Sequence, residues 1–452
     1  MIILDKEVQR IMQLPDRERL LALKRIIPRK TVQAVLRKTG RRQRFCRRLP
    51  GWFMVWFVIA LGLYCRDSYC QVYRWLQAHN RVPRRSSLCE ARHSLGVPAF
   101  YLLWNEVVRL LADASTPGAF YRDMRLMALD GFVVDVPDRR DLVRVFGRPQ
   151  SGRSAGAFPQ ARVLALCETG THVIWKHLIK PIRCGEVTMA PTLLRHLQKN
   201  MLLLWDRNFL SYANVALVQQ RQAHLLARIK KHVVSQPIRR FADGSYLAKL
   251  YRASWYRDRD RDGILVRVME YTFTDRHRPG AGETHRLLTT LLHPSLDPAK
   301  KLIELYHQRW ELELAIDELK THQRERPVLR SETPAGVVQE IFGLLLAHYV
   351  VRVLMFEAAE PEGIDPRRLS FTATLKILRC RLPQCPKSAT RLKKWYENLL
   401  EEIAAEKLPE RRDRINPRVI KRKMSGWAKK RPKHCDYPQP TKTFRQSIVM
   451  RN

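Results

Sequence analysis

The sequence predicts an α/β protein, with a helical region before the sheet and a helical, basic region after it. Three observations carry this. From about residue 120, short apolar runs alternate with amphipathic ones, as strands alternate with helices around a sheet. Before that point the apolar spacing is helical throughout. And 83 Lys and Arg stand against 43 Asp and Glu in 452 residues, a net charge of +40 that is spread along the chain and suits a polyanionic partner. The length suffices for two or three domains, and the 45% hydrophobic content is ordinary for a globular protein.

Residues 1–118 read as a helical domain with an arginine-rich edge suited to DNA. Helices are expected over 14–27, 31–38, 68–78, 87–95 and 100–114, with the basic run KTGRRQRFCRR at 38–48. The apolar run WFMVWFVIALGLYC at 52–65 has 14 residues, short of the ~20 a membrane span needs, so it is expected as a buried core helix. Nothing at 1–30 resembles a signal peptide. Nine irregularly spaced cysteines suggest reduced thiols and a cytoplasmic protein rather than a disulfide framework or zinc site.

Residues 119–358 form the expected α/β domain. Strands are predicted at 126–129, 132–136, 163–168, 172–178, 201–205 and 225–229, and helices at 188–197 and 211–222. The stretch 232–292 is β-rich, interrupts the alternation, and reads as an insertion. A helix from about residue 297 through 323, and another over 337–358, follow. Residues 359–452 are helical and basic. The last stretch, 411–452, holds 14 Lys and Arg against 2 Asp and Glu and is expected to be partly disordered and to track phosphates.

The chemistry is concentrated in LIELYHQRWELELAIDELKTHQ. Read as one uninterrupted helix at about 100° per residue, Tyr306, Arg309, Glu313 and Lys320 fall within an arc of roughly 60°, beside an apolar stripe of Leu305, Leu312, Ile316 and Leu319. One carboxylate among cations and a phenol suits a metal-dependent nucleic-acid enzyme. Angle alone does not choose Glu313 over Asp317, and Glu311 and Glu318 share the helix. Two-metal phosphoryl transfer needs further carboxylates from other elements. Asp206 follows the apolar run MLLLW and precedes Arg207 and Asn208, although an Asp there also suits a helix cap. Asp130 follows LMAL, although Asp130–Gly131 between two strands also suits a hairpin turn, and Asp135 and Asp138 are rivals nearby.

These residues resemble the DDE transposases of bacterial insertion sequences, the insertion-sequence-four group, whose signature is Tyr-x2-Arg-x3-Glu-x6-Lys. Here it stands as Tyr306, Arg309, Glu313 and Lys320, with Leu129-Asp130-Gly131 and Trp205-Asp206-Arg207-Asn208-Phe209 as the two aspartate stations. Asp243-Gly244-Ser245-Tyr246, Leu288-Thr289-Thr290-Leu291, Leu49-Pro50 before the apolar helix and the basic tail match as well. Phe132 departs from the Thr or Ser usual after Asp-Gly. The resemblance implies a ribonuclease H-like catalytic domain with a β-rich insertion within the 107 residues separating Asp206 from Glu313. It implies that Asp130, Asp206 and Glu313 are catalytic and bind two Mg²⁺ or Mn²⁺ ions. Tyr306 and Arg309 would hold a phosphate beside an extruded base, and Lys320 the terminal phosphate. Arg207 is a further DNA-contact candidate, and Trp255 or Trp310 would stack on the base, against the commoner fate of a Trp in a core.

The implied partners are double-stranded DNA, as terminal inverted repeats and target, and a second copy of the chain in the synaptic complex. The implied setting is a bacterial cytoplasm, nucleoid-associated when DNA is bound, without a membrane. Cleavage through a hairpin is the family expectation. A non-mobile nuclease of the same fold and a domesticated DNA-binding protein without catalysis are the alternatives. A scaffold on ribosomal RNA would leave the three carboxylates unexplained.

Overall fold

The computed structural model describes residues 21–41, 49–77, 82–151, 154–230, 236–386, 388–409, 419–420, 428–434 and 437–451. Most of the basic run at 38–48, the start of the helix expected at 14–27, and much of the basic stretch after 409 lie outside the described residues.

In chain order, α1 (Leu21–Ile26), α2 (Arg29–Lys38), α3 (Gly51–Leu63), α4 (Tyr69–Leu76), α5 (Arg85–His93) and α6 (Gly96–Val107) come first. Next are β1 (Met124–Asp135), α7 (Arg140–Phe146), β2 (Gln160–Glu168), β3 (Val173–Pro181), α8 (Glu186–Leu194) and β4 (Met201–Trp205). Then follow α9 (Tyr212–Gln220), β5 (His224–Arg228), β6 (Ser245–Leu250), α10 (Ser254–Asp258), β7 (Ile264–Phe273) and β8 (His285–Thr289). The chain continues through α11 (Ala299–His307), α12 (Trp310–Asp317), α13 (Pro334–Ala359), α14 (Phe371–Arg381) and α15 (Ala389–Ala405), and ends on α16 (Phe444–Ser447) and β9 (Ile448–Met450). Two compact units result, one of Met1–Leu193 with Glu311–Leu408 and one of Leu194–Trp310 with Pro409–Asn452.

The first unit is an antiparallel meander, β1–β2–β3, with helices built around α13. The apolar runs become helices buried nearly all round: every residue of α3 except Trp52 is buried, and α13 hides Gln339, His348 and Arg352 among its apolar side chains. Among the described residues α13 is the one helix long and apolar enough to cross a membrane, and most of it is buried inside the fold. The two helices meet at glycines. A Cβ on Gly62 would lie 2.4 Å from the Gly343 carbonyl oxygen, and one on Gly343 would lie 2.5 Å from that of Val58, so only hydrogen at both positions permits the crossing. The N-terminal helices therefore share a core with α13, and the sequence boundaries at 118/119 and 358/359 do not separate compact units.

In the second unit β4 and β5 are parallel, and β8, β7 and β6 continue the sheet antiparallel in that order from β5. The β-rich stretch at 232–292 thus extends an existing sheet. The Leu288-Thr289-Thr290-Leu291 motif is the seam: the Thr289 hydroxyl donates to the Leu225 carbonyl at 2.7 Å, and the Leu225 N–H donates to Thr290 Oγ1 at 3.1 Å. The Asp243–Ser245 turn serves the helix that follows. Asp243 accepts from the Ala299 N–H at 2.9 Å at the start of α11 and pairs with the fully buried Arg267, which also donates to the Asp297 carbonyl at 2.6 Å. The end of the basic tail, expected to be partly disordered, is docked here: β9 pairs with β7, and Asp275 accepts from the Thr441 and Lys442 N–H groups at 2.7 and 2.9 Å.

Candidate active site

Asp130 is not in a turn. β1 runs unbroken through Asp130–Gly131, with Asp130 opposite Ala165 and Gly131 opposite Leu164 in β2. The strand-then-hairpin alternative fails because apolar residues continue on both sides and stay buried. Gly131 has a packing reason instead: a Cβ there would lie 2.5 Å from the carboxylate of Glu186, which is held by Arg162 at 3.0 Å. Asp130 is half-buried and accepts from the Gly131 N–H at 2.8 Å. Its rivals are engaged elsewhere. Asp135 accepts from Gln160 Nε2 at 2.7 Å, and the Arg148 guanidinium beside Asp138 holds that carboxyl below its usual range. Phe132 is buried in the core.

Asp206 stands directly after β4, all five residues of which are buried. It occupies the cap position of a 3₁₀ turn, Arg207–Phe209, and its main-chain oxygen accepts from the Phe209 N–H at 3.1 Å. Its side chain makes no capping hydrogen bond, so the capping alternative does not account for the carboxylate. Asp206 is half-buried and Arg207 is exposed.

The uninterrupted helix is contradicted. α11 ends at His307, Gln308 and Arg309 form a turn, α12 runs from Trp310 to Asp317, and Glu318–Gln323 is a π-helix. The 100° spacing therefore does not carry from Tyr306 and Arg309 across to Glu313 and Lys320. The apolar stripe is nonetheless buried at Leu305, Leu312, Ile316 and Leu319. Tyr306 does something the spacing did not suggest: its hydroxyl donates to the carbonyl of Trp205, the residue before Asp206, at 3.2 Å. Burial pushes the Tyr306 pKa well above its ordinary value, so the hydroxyl stays protonated and can donate.

The structure also separates the four acids of this helix. Glu311 and Glu318 are buried, where His172 Nε2 lies 2.9 Å from Glu311 and His348 Nε2 lies 3.0 Å from Glu318. Arg352 donates through Nε to Glu318 at 2.9 Å, and through Nη2 to both Glu318 and His172 Nδ1, the latter at 2.6 Å. Since His172 Nδ1 accepts from Arg352, the imidazole is neutral and donates from Nε2 to Glu311. Burial first, and Arg352 second, push its pKa down to about 3. Asp317 is exposed and engaged with Thr321 at 2.5 Å and His322 at 3.4 Å. Glu313 is the half-buried one, on α12 between Glu311 and the π-helical Glu318. Sequence reasoning missed this network. The seven-residue spacing of Glu311 and Glu318 puts them on one face, but nothing in the sequence says what covers it.

The remaining candidates are placed as follows. Trp255 on α10 is 46% exposed with Arg259 over its ring at 4.3 Å, and Trp310 is 43% exposed with Arg309 at 5.7 Å. Neither indole is in a core, contrary to the commoner fate. Lys320 is half-buried, and burial lowers its pKa.

A strongly basic α/β chain with carboxylates on two strands and a helix, and with exposed indoles under arginines, has the make-up of a nucleic-acid phosphoryl-transfer enzyme. The family of transposase DDE domains matches residues 121–350, a span containing Asp130, Asp206 and Glu313, and the N-terminal domain of insertion element 4 transposases matches residues 17–105. The transposase InsG for insertion sequence element IS4 of Escherichia coli K12 is 28% identical over 384 residues, 83% of this chain and 86% of that protein. A cryo-EM structure of a piggyBac transposase synaptic complex with hairpin DNA has a TM-score of 0.43 and 9% identity, covering 89% of this chain and 87% of that one, too slight a likeness to argue from. The chain belongs to the DDE transposases of bacterial insertion sequences, in the insertion sequence 4 group. It is a DNA transposase, an enzyme class that uses divalent metal ions.

Proposed function

We propose that this transposase recognises the terminal inverted repeats of its element with its N-terminal helices and basic C-terminal region. It works as a homodimer on paired ends, with a ribonuclease H-like catalytic fold. Asp130, Asp206 and Glu313 are its acidic triad. The observation that supports this reading is the difference among neighbouring acids: Glu311 and Glu318 are held in a buried network and Asp317 is exposed, while Glu313, half-buried, stands at the family's signature position.

The donor set fits the metal the family implies. Three carboxylates are hard oxygen ligands suited to Mg²⁺ or Mn²⁺. Among the described residues no three His, Cys, Asp or Glu side chains gather into a group that could hold a metal ion, and Mg²⁺ by its nature keeps several waters and binds substrate phosphate. Two ions held by the triad would activate water and neutralise charge on the leaving oxygen.

In the first step a water oxygen bonds to phosphorus and the P–O3′ bond breaks, leaving a 3′-OH and a 5′-phosphate. The 3′-OH then attacks the opposite strand, closing a hairpin as the second P–O bond breaks, and an opened end later joins target DNA. Arg309 and Lys320 contribute fixed cations for backbone phosphates, Arg207 an exposed one, and Trp255 or Trp310 a stacking surface for an extruded base. Tyr306, with its hydroxyl on the Trp205 carbonyl, steadies the chain at Asp206. The test is Glu313→Gln. Mg²⁺-dependent cleavage of an end-bearing duplex disappears while end binding persists, and full cleavage by the variant would refute the assignment.

A further inference from the structure

Arg324 closes the π-helical turn, its N–H donating to the Leu319 carbonyl at 3.0 Å across five residues. Residues four apart share one helix face, so Arg324 stands beside Lys320. The chain on either side is pinned. Gln323 Nε2 donates to the Gly62 and Leu344 carbonyls at 3.0 and 2.8 Å. Glu325 adopts a left-handed backbone, φ 53°, and pairs with Arg379 at 2.8 Å and Arg66 at 3.5 Å. Between two anchored residues, Arg324 has Nε and Nη1 buried with no hydrogen-bond partner, the only side chain among the described residues with two such nitrogens.

The acids nearest Arg324 and Lys320 are already engaged with other groups. Burial lowers the pKa of both cations, and the Arg324 guanidinium lowers that of Lys320 further. The acid common to both is Asp135, whose carboxylate already accepts from Gln160 and whose carbonyl accepts from the Leu329 N–H at 3.0 Å. Asp317 and Glu340 lie further round, one toward each cation, and they too are engaged, by Thr321 and by Ser331. Buried guanidinium nitrogens without acceptors are costly, and a phosphodiester supplies acceptors and charge together.

We propose that Lys320 and Arg324 form a two-cation seat for one backbone phosphate of the bound DNA, on the unit that carries Asp130 and Glu313. This rests on the reading of Lys320 as a phosphate contact, and adds to it a residue outside the signature. Either cation could otherwise be explained as the complement to a helix C-terminus, which would affect folding and not DNA.

The experiment is a salt titration of affinity for a fluorescent duplex, with the full chain and no divalent ion, so that cleavage plays no part. Arg324→Ala binds about tenfold more weakly, and its slope of log K against log salt is smaller by about 1, with an unchanged melting temperature. Arg324→Lys keeps the slope. Wild-type affinity and slope in Arg324→Ala, or a lower melting temperature with the slope unchanged, would overturn the seat. A wild-type slope in Lys320→Ala would instead refute the reading of Lys320, and intact cleavage by Glu313→Gln the triad, so the three failures are distinguishable.

Discussion

Replacing Arg352 by Met isolates the interaction that holds the Glu313 helix. The guanidinium makes three hydrogen bonds in this fully buried cluster, two to Glu318 and one to His172 Nδ1. Methionine fills much of the same volume, so the loss is electrostatic rather than a cavity. Removing one partner of a buried ion pair leaves an uncompensated charge and costs about 3–5 kcal/mol. The structure says how this loss depends on pH. In the wild type, His172 is neutral, its pKa pushed down to about 3 by burial and then by Arg352. Without Arg352, each imidazole nitrogen faces a carboxylate at 2.9 Å, Glu311 on one side and Glu318 on the other, an arrangement that favours the imidazolium.

The sign of the pH dependence therefore reverses at this residue. A histidine with a depressed native pKa contributes stability above its unfolded value of about 6.5 and loses it as pH falls toward 3. A histidine with a raised native pKa contributes stability below about 6.5 and loses it as pH rises through the native value. Urea unfolding at pH 8 and pH 5.5 reads both effects. The Arg352→Met deficit is about 3–5 kcal/mol at pH 8 and shrinks at pH 5.5, where His172 takes up the missing charge. A variant within about 1 kcal/mol of wild type at pH 8, or a deficit that does not shrink in acid, would refute the network as drawn.

Three further outcomes follow from the same coordinates. His348 is also pushed down to about 3, by burial and then by His172, so wild-type stability falls between pH 6.5 and 5 by up to about 1.4 kcal/mol per pH unit for each of the two histidines; His348→Gln has a shallower pH slope, and an equal slope would contradict this. Tyr306→Phe removes the hydrogen bond to the Trp205 carbonyl, costing about 1 kcal/mol of stability, and it lowers the cleavage rate with little change in DNA affinity, whereas lost affinity with unchanged cleavage would mark the hydroxyl as a phosphate grip. Gly343→Ala forces a methyl to 2.5 Å from a backbone oxygen of α3, which destabilises the first unit by about 1–3 kcal/mol or more in thermal unfolding, and a wild-type melting temperature would show that the helices do not cross so closely.

What the sequence could and could not convey divides along a physical line. Local apolar patterning located β4 to the residue and found α3 and α13, because burial on every side needs no partner to be recognised. It joined α11 to α12 wrongly, since the turn at Gln308–Arg309 contains no Gly or Pro and leaves the apolar period intact. It left a turn at Asp130–Gly131 open as the alternative to a metal ligand, because Asp-Gly is good turn chemistry. The glycine is there for the Glu186 carboxylate, a contact 55 residues away in the chain that no local pattern encodes. The same limit applies to the acids of the signature helix, among which the family spacing, and no local pattern, chose Glu313. Glu311, Glu313, Asp317 and Glu318 are equivalent in composition, and only His172, His348 and Arg352, from a β-turn and a distant helix, make them different. Arg324 comes into view only through such contacts: it lies outside every motif, and it is conspicuous because its neighbours are satisfied and two of its own nitrogens are not.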